Sequence, residues 1–71
     1  MSNDHLVQMA NDIAANMAAE GDRTQVIGAI ATHLRRYWEP RMRARIIAHL
    51  ASGGDGLAPL ARAAVEHLRG L

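Results

Sequence analysis

Proline at position 40 constrains this chain more than any other residue. It lacks a backbone N–H and has a fixed φ, so it fits poorly inside a helix but well at the first helical position. It also pushes the preceding Glu39 toward extended backbone. Apolar residues recur at three- and four-residue spacing on both sides of it, so the chain turns a corner there between two helices. The corner reads Arg35-Arg36-Tyr37-Trp38-Glu39-Pro40-Arg41-Met42-Arg43 and holds both aromatic residues and the densest run of charge. Trp38 can fill a hole with about 200 Å² of ring surface, while the flanking arginines offer planar forks to carboxylate, phosphate or carbonyl groups. An aromatic anchor ringed by arginine has the composition of a binding hot spot. Arg35, Arg36, Tyr37, Trp38, Pro40, Arg41, Met42 and Arg43 are therefore the candidate partner-binding residues.

Four helices are expected, over about residues 4–19, 23–36, 40–52 and 58–69. The first carries an apolar stripe of Leu6, Met9, Ala10, Ile13, Ala14 and Met17, with Gln8, Asn11, Asp12, Ala15 and Asn16 on the opposite face. Ser2 or Asn3 can cap it, Gly21 ends it, and Asp22 with Gln25 forms a capping box for the second helix. Val26, Ile27, Ile30, Ala31, Leu34 and Trp38 continue the apolar spacing, and Gly28 among them suggests a close helix crossing. Met42, Ile46, Ile47 and Leu50 follow in the third helix. Residues 52–56, Ser-Gly-Gly-Asp-Gly, read as the one flexible stretch, a linker. The last helix presents Leu60, Ala61, Ala64, Val65 and Leu68, with Pro59 tolerated in its first turn. No strand signal appears, so the expectation is one all-α domain over residues 1–71, a small bundle of three to four short antiparallel helices.

Composition narrows the function. A 71-residue chain supports one small core with a net stability of only a few kcal/mol, here built without Phe and with one Trp and one Tyr. Isolated, it should be marginally stable or self-associate through apolar surface that a partner normally covers. The absence of cysteine removes disulfides, thiolate metal sites and iron–sulfur ligation together. His5, His33, His49 and His67 are never three or four residues apart, so no two share a helix face as a zinc site asks, and no metal is expected. Residues 53–56 lack the Lys and Ser/Thr that follow the glycines of a phosphate loop. With no nucleophile beside a base either, the chain reads as no enzyme. No segment approaches the roughly 20 apolar residues of a membrane span, and a soluble cytoplasmic location is expected.

The net charge is only +1, but it is polarised. Asp4, Asp12, Glu20 and Asp22 lie in a first segment devoid of Lys and Arg, whereas Arg35, Arg36, Arg41, Arg43 and Arg45 cluster around Glu39 alone. Charge runs are usually solvated faces. Trp38 shifts that balance, either closing a core poor in aromatics or anchoring an interface. Arg41, Arg43 and Arg45 sit against the dipole at the start of the third helix, a cost of tenths of a kcal/mol that is offset if their guanidinium groups bind something. Two readings follow from these residues: a protein-binding accessory chain, and a small helical nucleic-acid-binding module using the basic stretch of residues 35–45. Near-neutral net charge and the lack of Lys disfavour the second.

Leu6-Val7-x-Met9-Ala10-Asn11-x-Ile13-Ala14, the block from His33 to Arg43, Gly56-Leu57-x-Pro59-Leu60, and the closing Ala64-Val65-x-x-Leu68 resemble the delta subunit of the soluble NAD-dependent molybdenum formate dehydrogenase. That family has a Phe-Trp-Asp-Pro-Arg-Met-Arg run in the central block. This chain departs from it with Tyr37 for Phe and Glu39 for Asp, the latter a weaker helix cap before Pro40. The resemblance implies an accessory subunit without catalytic residues, joined to a cytoplasmic complex that oxidises formate and reduces NAD. In such a complex the large alpha subunit carries molybdenum pterin cofactor and iron–sulfur clusters, and the beta and gamma subunits carry FMN and further clusters. The delta subunit is associated with assembly and stability. The implied partner is the large catalytic subunit, with no cofactor in this chain.

Overall fold

A computed structural model describes residues 3–71. It contains α1 (Asn3–Met17), α2 (Arg23–Tyr37), α3 (Pro40–Ala51) and α4 (Pro59–Arg69), and no strand among the described residues. The fold is the small all-α bundle expected from the apolar spacing. Of the two caps expected for α1, Ser2 lies outside the described residues and Asn3 is already helical.

Local chemistry explains most of the helix limits. At the end of α1 the bonds from Ala18 N to Ala15 O and from Glu20 N to Met17 O skip back three residues instead of four. The chain therefore tightens into a turn at Met17, two residues earlier than its composition suggests. Asp22 then caps α2: its Oδ1 accepts from Gln25 N at 2.9 Å, and its own N–H donates to Gln25 Oε1 at 3.2 Å. This is the reciprocal box that the spacing predicts. Pro40 and Pro59 each stand at the start of a helix, preceded by extended Glu39 and Ala58. Neither preceding residue caps with its side chain.

Helix α4 is the element on which the others converge, packing against α1, α2 and α3, and most extensively against α2. Its buried positions are Ala61, Ala64, Val65 and Leu68. Small side chains there let neighbouring backbones approach from several sides. By contrast α2 and α3, joined by only two residues, barely touch. The proline corner splays them, and α4 occupies the angle. The expected close crossing at Gly28 does not occur, because a Cβ built at Gly28 would meet nothing within 4 Å.

Leu6, Val26, Ile30, Leu34, Ile46 and Val65 are the largest fully buried side chains. On α1 the buried stripe is Leu6, Val7, Ala10 and Ala14, while Met9, Ile13 and Met17 form its half-buried edge. Val7 was not in the expected stripe; it is buried beside Gly56 of the α3–α4 connection.

That connection is not a flexible linker but a latched loop. Asn11 Nδ2 donates to Gly56 O and Asn11 Oδ1 accepts from Ala58 N, both at 2.9 Å. Arg62 donates to Gly53 O at 2.6 Å and Gly54 O at 3.2 Å, and His49 Nε2 lies 2.8 Å from Asp55 O. Leu57 is buried beneath it. Gly54 has φ +68° and Gly56 has φ +85°, values that side-chain-bearing residues rarely adopt. The glycines serve a specific path, which composition alone does not distinguish from looseness.

Candidate partner-binding corner

The corner exists because α2 has to stop before Pro40. Trp38 closes α2 with extended backbone (φ −84°, ψ 140°), its N–H bonded to Leu34 O at 3.0 Å. Glu39 stays extended (φ −63°, ψ 151°), and α3 restarts with Arg43 N bonded to Glu39 O at 3.1 Å. Trp38 stands four residues after buried Leu34 and continues the inward face of α2, while Tyr37, one residue earlier, falls off that face. Trp38 is 6% exposed and belongs to the core, whereas Tyr37 is 68% exposed. Trp38 therefore offers little ring surface to a partner. Its place in the site is to position the corner, and the exposed aromatic is Tyr37.

Tyr37 is held by its neighbours on α2. The His33 and Tyr37 ring centroids are 4.7 Å apart at 46°, and the Arg36 guanidinium carbon lies 5.9 Å from the Tyr37 centroid. An aromatic ring restrained on two sides loses less side-chain entropy on binding than a free one. His33 was not among the expected site residues. Its four-residue spacing from Tyr37 on one helix was the available signal.

The arginines divide by task. Arg43 Nη1 donates to Arg35 O at 2.5 Å. This carbonyl is among the last four of α2, which have no partner inside the helix, and the negative end of the helix dipole favours a cation there. The apparent charge mismatch at the start of α3 is thus resolved for Arg43 by the end of α2. Arg41 is exposed, and Met42 is half-buried against the core. Arg35 and Arg36 are exposed in the last turn of α2. An ion pair between Arg69 and Glu66 lies on α4, outside the corner.

Two shallow depressions flank the corner. One, of about 200 Å³, is lined by Arg35, Arg43, Ile47, Leu68 and Leu71. The other, of about 260 Å³, is lined by Glu39, Arg41, Met42 and Arg45. Ile47 follows Arg43 by four residues on α3, but Leu68 and Leu71 were not expected to share a surface with the arginines, since a loop and most of α4 separate them in sequence. Among the described residues no three His, Asp or Glu side chains gather as a metal site would require. No helix among the described residues is long and apolar enough to cross a membrane.

The family model for the NADH-dependent formate dehydrogenase delta subunit FdsD matches residues 5–65, a span that includes the entire corner. No curated protein and no solved structure matches the chain.

Proposed function

Since this chain belongs to the family of NADH-dependent formate dehydrogenase delta subunits, we propose that it is a non-catalytic accessory subunit that binds the large catalytic subunit through its Arg35–Arg43 corner. In this reading it supports assembly or stability of a cytoplasmic formate dehydrogenase complex, and other subunits carry out formate oxidation with NAD. The observation that carries the proposal is the exposure of Tyr37 at 68%, braced by His33 and Arg36, in the block that lies within the matched span. A restrained aromatic beside arginines is what protein interfaces use as an anchor.

The donor set of the chain supports a role without resident cofactor. The sequence has no cysteine, so it offers no thiolate to an iron–sulfur cluster or to molybdenum. Molybdenum pterin cofactor, clusters, FMN and NAD would then belong to the other subunits. The corner itself uses Trp38 and Pro40 to set the angle, Tyr37 and Met42 for apolar contact, and Arg35, Arg36 and Arg41 for polar contact. Arg43 holds the two helices of the corner together.

Co-purification of the tagged chain from cells expressing the whole complex tests this directly. The large subunit should come down with it in constant ratio and survive a salt wash that strips nucleic acid. A chain that purifies free of every formate dehydrogenase subunit at low salt would overturn the proposal. So would one that carries nucleic acid released steeply by salt.

A further inference from the structure

Tyr37 stands out from the surface instead of lining a hollow. It is 68% exposed, and neither depression beside the corner is lined by Tyr37, His33 or Arg36. The backbone that follows it is fixed: the Trp38 N–H is bonded to Leu34 O at 3.0 Å, the Trp38 ring is buried, and Pro40 starts the next helix. The Tyr37 ring is held in turn by His33, at 4.7 Å between centroids, and by Arg36, whose guanidinium carbon lies over it at 5.9 Å. A projecting ring on rigid backbone, braced by its neighbours, has the form of a knob.

Resting on the docking role proposed above, we propose that Tyr37 enters a concave, apolar pocket of the large catalytic subunit, and that a carboxylate at the rim of that pocket pairs with Arg36. The shape asks for a pocket. An aromatic side chain offers about 150–250 Å² for burial, and a flat partner surface covers only one side of a projecting ring. The charge asks for an acidic rim. Because the Arg36 guanidinium lies over the ring, whatever covers the ring also takes water from Arg36, and a desolvated cation without a partner is costly. No carboxylate of the described residues meets Arg36, and the nearest acid in sequence, Glu39, lines the depression with Arg41, Met42 and Arg45 instead. The partner therefore supplies the anion, and a carboxylate matches the planar fork of the guanidinium. A stacked nucleobase is a poorer occupant, since it needs an open ring face where Arg36 already lies.

The test uses the co-expressed complex and the tagged chain as wild type, Tyr37→Ala, Tyr37→Trp, Arg36→Glu and Arg23→Glu. Arg23 begins α2 at its opposite end and provides the same charge change away from Tyr37. All three positions are exposed, and circular dichroism establishes that each variant remains helical. Retention of the large subunit should fall about tenfold or more for Tyr37→Ala and Arg36→Glu, and less than about twofold for Arg23→Glu. Tyr37→Trp should lose several-fold, because the larger ring overfills a pocket shaped for tyrosine. Retention of Tyr37→Trp at or above wild type would mean that the ring lies on an open surface, and would overturn the pocket. Losses as large for Arg23→Glu as for Arg36→Glu would mean general charge attraction and overturn the acidic rim. Wild-type retention by Tyr37→Ala, with the wild-type chain still bound, would overturn the knob and leave the docking role standing. A wild-type chain that retains no large subunit would remove the docking role and the knob together.

Discussion

Asn11 on α1 and Gly56 in the α3–α4 loop are joined across 45 residues by a hydrogen bond from Asn11 Nδ2 to the Gly56 carbonyl. The other end of the same amide, Oδ1, accepts from Ala58 N. One side chain thus satisfies a donor and an acceptor just where α4 begins, and Ala58 has no side chain with which to cap that helix. Because α4 is the helix on which all others pack, this clamp connects a loop to the core.

Asn11→Ala should therefore destabilise the chain by about 1–3 kcal/mol, the range for losing hydrogen bonds and leaving their partners unmet. Asn11→Asp should also destabilise, because a carboxylate cannot donate to Gly56 O. Urea denaturation followed by circular dichroism measures both. Wild-type stability in Asn11→Ala would show that water replaces the clamp without loss.

Gly28→Ala and Gly54→Ala should have opposite signs. At Gly28 an added Cβ meets open space in a helix interior, so alanine should stabilise by up to about 1 kcal/mol. At Gly54 the φ of +68° is strained for alanine, and the new Cβ would lie 2.9 Å from the Arg62 Nη2 that holds the loop. A loss above about 1 kcal/mol is expected there. Thermal melts of the two variants side by side provide the comparison, and a shared sign would contradict it.

Trp38→Ala and Tyr37→Ala separate folding from binding. Removing the buried indole should cost about 3–5 kcal/mol, comparable to the whole net stability of a domain this small. The variant should lose cooperative melting. Tyr37→Ala should change stability by about 0.5 kcal/mol or less, while weakening retention of the large subunit by about 2 kcal/mol if the exposed ring is an anchor. Both quantities come from a melt and a pull-down on the same preparation.

Arg43→Ala should cost about 1 kcal/mol of stability, since it releases Arg35 O at the end of α2. Arg41→Ala, which removes an exposed side chain, should cost almost none. The difference would appear as a lower urea midpoint for Arg43→Ala alone. Equal midpoints would show that the bond to Arg35 contributes nothing measurable.

The sequence by itself determined what depends on neighbours within a turn. Asp22 and Gln25 start α2 because both halves of their box are three residues apart, and Pro40 and Pro59 start helices because a missing N–H costs nothing there. Helical apolar spacing, the absence of strand patterning and the lack of cysteine were equally local or compositional, as was the block around Pro40 that carries the family likeness. Tertiary structure decided what the stripes left open, such as the burial of Val7 and Leu57. The spacing from Leu34 put Trp38 on the apolar stripe of α2, but only the packed structure showed that its ring is closed off from a partner while the adjacent Tyr37 stands exposed. The amide of Asn11 finds its partners 45 and 47 residues away, and Arg43 finds a carbonyl on another helix. Such bonds leave no spacing to read. They converted an apparent glycine linker into a fixed loop and a presumed binding arginine into a brace, because those groups meet through the path of the folded backbone and not through their spacing in sequence.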